Sequence, residues 1–358
     1  MTPLNTPDTA VADDAVPVDH SAPPPGDDAR RSRVDVHHHY TAPEWITWAE
    51  SKGVVQRGKL PWWTQWDLDS ALTLMDRAGI RTSVLTVAML GRLREPPLRK
   101  ESARVALRSA GDLVSAHPER FAFFAPIFLD DTELSRWSVT YGMDQLGAIG
   151  VSTRTSVRGT FLGDPSHDAL LAELNERSAV ISTHPMEVPG DEAGLPGVPP
   201  FVCDFLMDTT RAAISLIVNG TLDRYPNLTF ILPHGGGFLP YLASRLETFG
   251  DQLTPKVEGP RVRDYLHRFY YDTAGPMSPS STPSLLSAVD ASRILYGSDW
   301  PPTPARVVTD VTAPALDNDP ALNGTQRRGI NRDNACRLLP ALSRAAVAPK
   351  TLIHTPVK

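Results

Sequence analysis

From Arg33 to Tyr296 the chain alternates eight short apolar runs with longer segments whose apolar residues recur at helical spacing. The runs are Val34–His39, Thr82–Ala88, Phe121–Pro126, Ile149–Ser152, Ala179–His184, Thr229–Leu232, Arg268–Asp272 and Arg293–Tyr296. Between them, Leu68–Ala78, Ser102–Ala116, Asp131–Leu146, His167–Arg177, Phe205–Asn219 and Leu239–Phe249 read as helices. Strands joined by crossover helices pair in parallel and are covered on both faces. Eight such units predict an α/β fold, a (β/α)₈ TIM-like barrel, for which about 250 residues is typical. An open doubly wound sheet is the alternative. It calls for a glycine-rich phosphate turn after the first strand, where this chain reads His37-His38-His39-Tyr40.

Of the 358 residues, 1–33 form a separate class. They are rich in Pro, Asp and Ala and nearly free of large apolar side chains, so burial cannot offset their ordering entropy. They also lack the apolar stretch of a signal peptide. The expected organisation is a disordered tail over 1–33, a barrel over 34–345 and a C-terminal tail over 346–358. A formal charge of −6 and the absence of a long Lys/Arg run argue against nucleic acid as a partner. No apolar stretch reaches the roughly 20 residues that span a bilayer. Cys203 and Cys336 cannot build a disulfide framework, which points to the cytoplasm.

Chemistry-bearing residues gather at the C-terminal ends of the strand candidates, which all meet on one face of a barrel. His37 and His39 are two apart on a strand and point to one side, while His38 points away. His184 ends the fifth run, His234 opens Pro233-His234-Gly235-Gly236-Gly237, and Asp299 follows the eighth run. The other histidines lie in tails, near helix ends or on polar segments. Three His and one carboxylate suit a borderline divalent ion: Zn²⁺ takes such a set readily, and Mn²⁺ or Fe²⁺ are also compatible. Thr41–Trp66 is predicted to be an irregular loop on the catalytic face. It carries Trp45, Trp48, Trp62, Trp63 and Trp66, an apolar cover suited to an aromatic ring.

Val34-Asp35-Val36-His37-His38-His39, Thr183-His184-Pro185, Pro233-His234-Gly235-Gly236-Gly237, Asp272-Thr273-Ala274 and Tyr296-Gly297-Ser298-Asp299-Trp300-Pro301 occur in the order of the amidohydrolase superfamily. The chain resembles the branch containing aminocarboxymuconate-semialdehyde and 6-methylsalicylate decarboxylases over about residues 33–340. The resemblance implies one Zn²⁺ or Mn²⁺ per subunit on His37, His39, His184 and Asp299, with His234 and Asp299 catalytic. It implies that Arg245 reaches a substrate carboxylate across a homodimer; Trp63 and Trp66 are the aromatic candidates for substrate contact. The bridging Lys of binuclear relatives has no counterpart in Ile149-Gly150-Val151-Ser152-Thr153, which implies a mononuclear site. The expected reaction is non-oxidative decarboxylation of a small aromatic or muconate-type acid, with a hydroxybenzoate foremost. A lactone or amide hydrolase on the same site, and a non-catalytic binder, are the alternatives.

Overall fold

The computed structural model describes residues 32–89, 93, 95–185 and 195–344. Eight parallel strands lie in the order β1 (Arg33–Tyr40), β2 (Ile80–Val87), β3 (Phe121–Pro126), β4 (Val151–Arg154), β7 (Val180–His184), β8 (Thr229–Leu232), β9 (Tyr270–Asp272) and β10 (Ile294–Leu295). A small antiparallel hairpin, β5 (Ser156–Val157) and β6 (Thr160–Phe161), follows β4. The eight-unit barrel expected from the pattern is the fold observed.

Closure is made by backbone beyond the last strand. Tyr296 O accepts from Val36 N at 3.0 Å, His37 O accepts from Asp299 N at 2.9 Å, and Trp300 O accepts from His39 N at 2.8 Å. The segment 296–300 thus zips onto β1, and that seam carries three of the four expected ligands. β1 also bulges there. Asp35 pairs with Ser83 and His38 with Leu85, three steps on β1 against two on β2. An extra residue of this kind bends a strand and redirects its side chains.

Two apolar layers hold the barrel. Val34, Val36, Val84, Phe124, Val180 and Leu295 fill its interior below the mouth and are closed off by Ala335 and Leu339. The larger layer lies between strands and outer helices and includes Trp45, Leu74, Met75, Phe123, Leu216 and Phe230. Truncating a buried Leu at such positions to Ala costs about 2–5 kcal/mol.

Several boundaries differ from expectation. Arg33, assigned to the tail, begins β1 and is buried, with Nε donating to Asn331 Oδ1 at 3.0 Å and Nη2 lying 2.6 Å from Asp317 Oδ1. The rest of the expected tail up to residue 31, and the C-terminal tail, lie outside the described residues. The fourth strand runs two residues later than predicted, at Val151–Arg154. The segment Thr41–Trp66 is not irregular. It contains helix Pro43–Ser51, with proline at its start, and short turns at Arg57–Lys59 and Trp62–Thr64. Trp45, Ile46 and Ala49 recur on the buried face of that helix. Helix Thr132–Val139 continues into a wider turn at Thr140–Gln145, and helix Pro96–Ala116 starts six residues before its expected first residue, Ser102.

Candidate metal centre

His37, His39, His184 and Asp299 offer four ligand atoms that all lie within 4.8 Å of one another. His37 Nε2 is 3.2 Å from His39 Nε2 and 3.2 Å from Asp299 Oδ1, and His39 Nε2 is 3.1 Å from the same oxygen. The His184 ring stands edge-on to His39 with centroids 4.7 Å apart. Chain segments more than 250 residues apart therefore supply one cluster, as convergence of strand ends demands.

Each ligand has a local cause. Asp35, fully buried, accepts from His37 N at 3.1 Å, Ser298 N at 2.9 Å and Ser298 Oγ at 2.6 Å, which ties the β1 bulge to the closing segment. Gly297 is required at the seam: a Cβ there would sit 2.9 Å from His37 Cβ. Asp299 adopts φ 58°, a left-handed conformation uncommon for a non-glycine residue, and this turns its carboxylate into the mouth. Thr303 steadies it, with N donating to Asp299 O at 2.7 Å and Oγ1 to Oδ2 at 3.2 Å.

Asp272 orients the cluster from behind. Its Oδ2 lies 2.8 Å from His37 Nδ1, and its Oδ1 accepts from His234 N at 2.9 Å and Ala274 N at 3.0 Å. A carboxylate on Nδ1 leaves Nε2 as the free lone pair, the arrangement metal-ligating histidines use. His234 Nε2 stands 3.8 Å from Asp299 Oδ2, and its ring centroid is 5.3 Å from that of His37. The glycines after His234 permit close packing. A Cβ on Gly237, at φ +64°, would lie 2.1 Å from Leu206 O.

The electrostatics favour a cation. Burial acts to lower His37, but the Asp272 and Asp299 carboxylates outweigh it and hold the ring well above the ordinary histidine value. Burial lowers His39. Burial, reinforced by His39, His37 and His234, holds His184 well below the ordinary value, so both rings are neutral donors of a lone pair. Burial acts to raise Asp299, yet the surrounding His234, His37 and His39 keep it well below the usual carboxylate range and ionised. His184 Nδ1 is buried without a hydrogen-bond partner. Two neutral histidines, a third oriented by Asp272, an ionised carboxylate and an orphaned buried nitrogen fit one divalent ion.

The other expected site residues divide. His38 points away from the cluster, as strand alternation requires, with Nδ1 3.4 Å from Asp35 Oδ2 and Nε2 accepting from Trp66 Nε1 at 3.2 Å. Trp66 is therefore a core residue, packed on Tyr40, Phe121 and Trp300. Trp45 and Trp48 are pinned to helix Pro96–Ala116 through Ser102 and Glu101. Trp63 is half-buried in its turn and Trp62 is exposed. Arg245 lies exposed on helix Leu239–Phe249, its guanidinium over the Phe249 ring. Asp35, Asp272 and Thr303 had no assigned role. The first two sit inside recognised motifs, which was the available signal.

The amidohydrolase family model matches residues 34–341, nearly all of the described chain. The chain belongs to the amidohydrolase family. This amidohydrolase is 30% identical to 6-methylsalicylic acid decarboxylase acuB of Aspergillus aculeatus over 326 residues, covering 87% of this chain and 97% of the relative. A solved amidohydrolase II structure superposes with TM-score 0.76 at 28% identity, covering 86% of this chain and all of the other. The dihydroxybenzoic acid decarboxylase of Polaromonas sp. JS666, solved with manganese and 2-nitroresorcinol, shares the fold at TM-score 0.70 and 23% identity, covering 86% and 97%.

Proposed function

We propose that this amidohydrolase is a carboxy-lyase that removes CO₂ from an ortho-hydroxybenzoate. The observation that carries the reading is the four-ligand cluster with His234 facing Asp299 at 3.8 Å across it. The 6-methylsalicylate relative and the manganese-bound dihydroxybenzoate decarboxylase support the substrate class and make Mn²⁺ the preferred ion over Zn²⁺.

His37, His39, His184 and Asp299 would hold the ion. When bound, a divalent ion supplies Lewis acidity toward the carboxylate and phenolic oxygens of the substrate. Asp272 keeps His37 in register for it. Asp299, held ionised, serves as ligand, and His234, with Nε2 3.8 Å from Asp299 Oδ2, is the proton source in this reading. Its proton goes to the ring carbon that bears the carboxylate. The bond between that carbon and the carboxylate then breaks, its electron pair returns to the ring, and CO₂ leaves. The half-buried Trp63, in the segment after β1, is the aromatic wall for the ring.

The working unit in this reading is a homodimer. Tyr241 and Phe249 are exposed on helix Leu239–Phe249 and flank Arg245 at helical spacing, an aromatic stripe suited to burial against a second copy. The two free thiols, Cys203 and Cys336, support a cytoplasmic setting. Among the described residues, no helix is long and apolar enough to cross a membrane.

The test is metal analysis of the purified protein followed by a screen of hydroxybenzoates for CO₂ release. One ion per chain and CO₂ from a 2-hydroxybenzoate are expected. Ring-opened product from a lactone, with no CO₂ from any hydroxybenzoate, overturns the reading.

A further inference from the structure

The two-residue shift of β4 brings Arg154 into the barrel wall. Its pairing partner across the parallel ladder is His184, a ligand of the candidate centre. Paired residues on neighbouring strands lie about 4.8 Å apart and point to the same side of the sheet. The next residue confirms which side. Thr155 N donates to His184 O at 3.0 Å, while the Thr155 hydroxyl turns the opposite way to the buried Asp208 on helix Asp204–Val218. With Thr155 facing the outer helix, alternation puts Arg154 on the inner side, on the strand beside His184, and it is exposed to solvent there.

Charge makes that position consequential. The planar fork of a guanidinium at the rim matches a carboxylate with two parallel hydrogen bonds.

We propose that Arg154 binds the carboxylate of the aromatic acid, a specificity-determining residue that selects acids over the phenols they yield. The proposal rests on the decarboxylase reading for its substrate class. It assigns Arg154 a binding role, so the variant raises KM more than it lowers kcat. It also gives product release a cause, since CO₂ leaves the guanidinium with no anion to hold.

The experiment titrates metal-loaded wild type, Arg154→Gln and Arg154→Lys with salicylate and, separately, with phenol, and measures metal content and CO₂ release in parallel. Arg154→Gln is expected to keep one ion per chain and to weaken salicylate binding by ~10–100-fold, the loss of a charge-assisted pair, with phenol binding unchanged. Arg154→Lys is expected to recover part of the loss. Unchanged salicylate affinity in Arg154→Gln, an equal loss for phenol, or no salicylate binding by the wild type overturns the proposal. The salicylate-to-phenol comparison needs no turnover, so absence of CO₂ from salicylate and from every other hydroxybenzoate overturns the decarboxylase reading alone.

Discussion

His37 sits between two carboxylates, with Nδ1 2.8 Å from Asp272 Oδ2 and Nε2 3.2 Å from Asp299 Oδ1. One carboxylate orients the ring and the other shares its ligand face. Because Asp272 also receives His234 N, a single side chain aligns a metal ligand with the proposed proton donor.

Asp272→Asn keeps the shape but offers an amide where His37 Nδ1 has its acceptor. Its metal affinity should fall ~10–100-fold. Asp272→Ala should be worse, since His234 N and Ala274 N lose their acceptor as well. Metal content after dialysis against graded chelator checks both, and retention at the wild-type level in Asp272→Asn would show that His37 does not depend on it.

His234→Gln should keep one ion per chain, because His234 is outside the four-ligand group. Turnover should drop by ~10²–10⁴-fold with loss of the general acid. Paired metal analysis and CO₂ assays decide. Loss of the ion along with activity would move His234 into the ligand set.

In the metal-free protein, burial opposes the proton on His37 but Asp272 and Asp299 outweigh it, so the ring carries that proton at neutral pH. The stabilisation from that pairing is complete below the ordinary imidazole value and fades as pH rises through the raised one. An ion must displace the proton, so apparent metal affinity should climb with pH across the neutral range. Binding at pH 7 should release about one proton per ion. His39 and His184, both lowered, add none. A titration in weak buffer with a pH indicator reads this directly, and zero release would mean a neutral His37.

Trp66→Phe removes the donor to His38 Nε2, in a core where His38 is fully buried. Leaving that nitrogen unpaired should cost ~1–3 kcal/mol of stability, with metal stoichiometry unchanged. Chemical denaturation measures the first and metal analysis the second. A large fall in substrate affinity at unchanged stability would restore Trp66 to the substrate pocket.

Much of the centre was legible before folding. His37 and His39 share a side because strand side chains alternate, and Asp299 and His184 stand at strand ends because a parallel barrel gathers those ends. The β4 boundary was harder. Ile149 and Gly150 extend the apolar run, but the ladder to β7 starts only at Val151, so the apolar pattern stops short of Arg154. The tryptophan-rich segment misled for a related reason. Composition says that five indoles need cover, and only packing shows that Trp45 and Trp66 find it in the core.

What the amino-acid order alone determined was the alternation of strands and helices and the ligand residues at strand ends, because both depend on local periodicity. Only the tertiary structure decided how the barrel closes. The seam between β1 and residues 296–300, the Asp35 and Asp272 carboxylates behind the ligands, and the side of the wall that Arg154 occupies depend on contacts between segments far apart in sequence. Such contacts leave no local pattern, since each partner is satisfied by a residue that chain spacing does not specify.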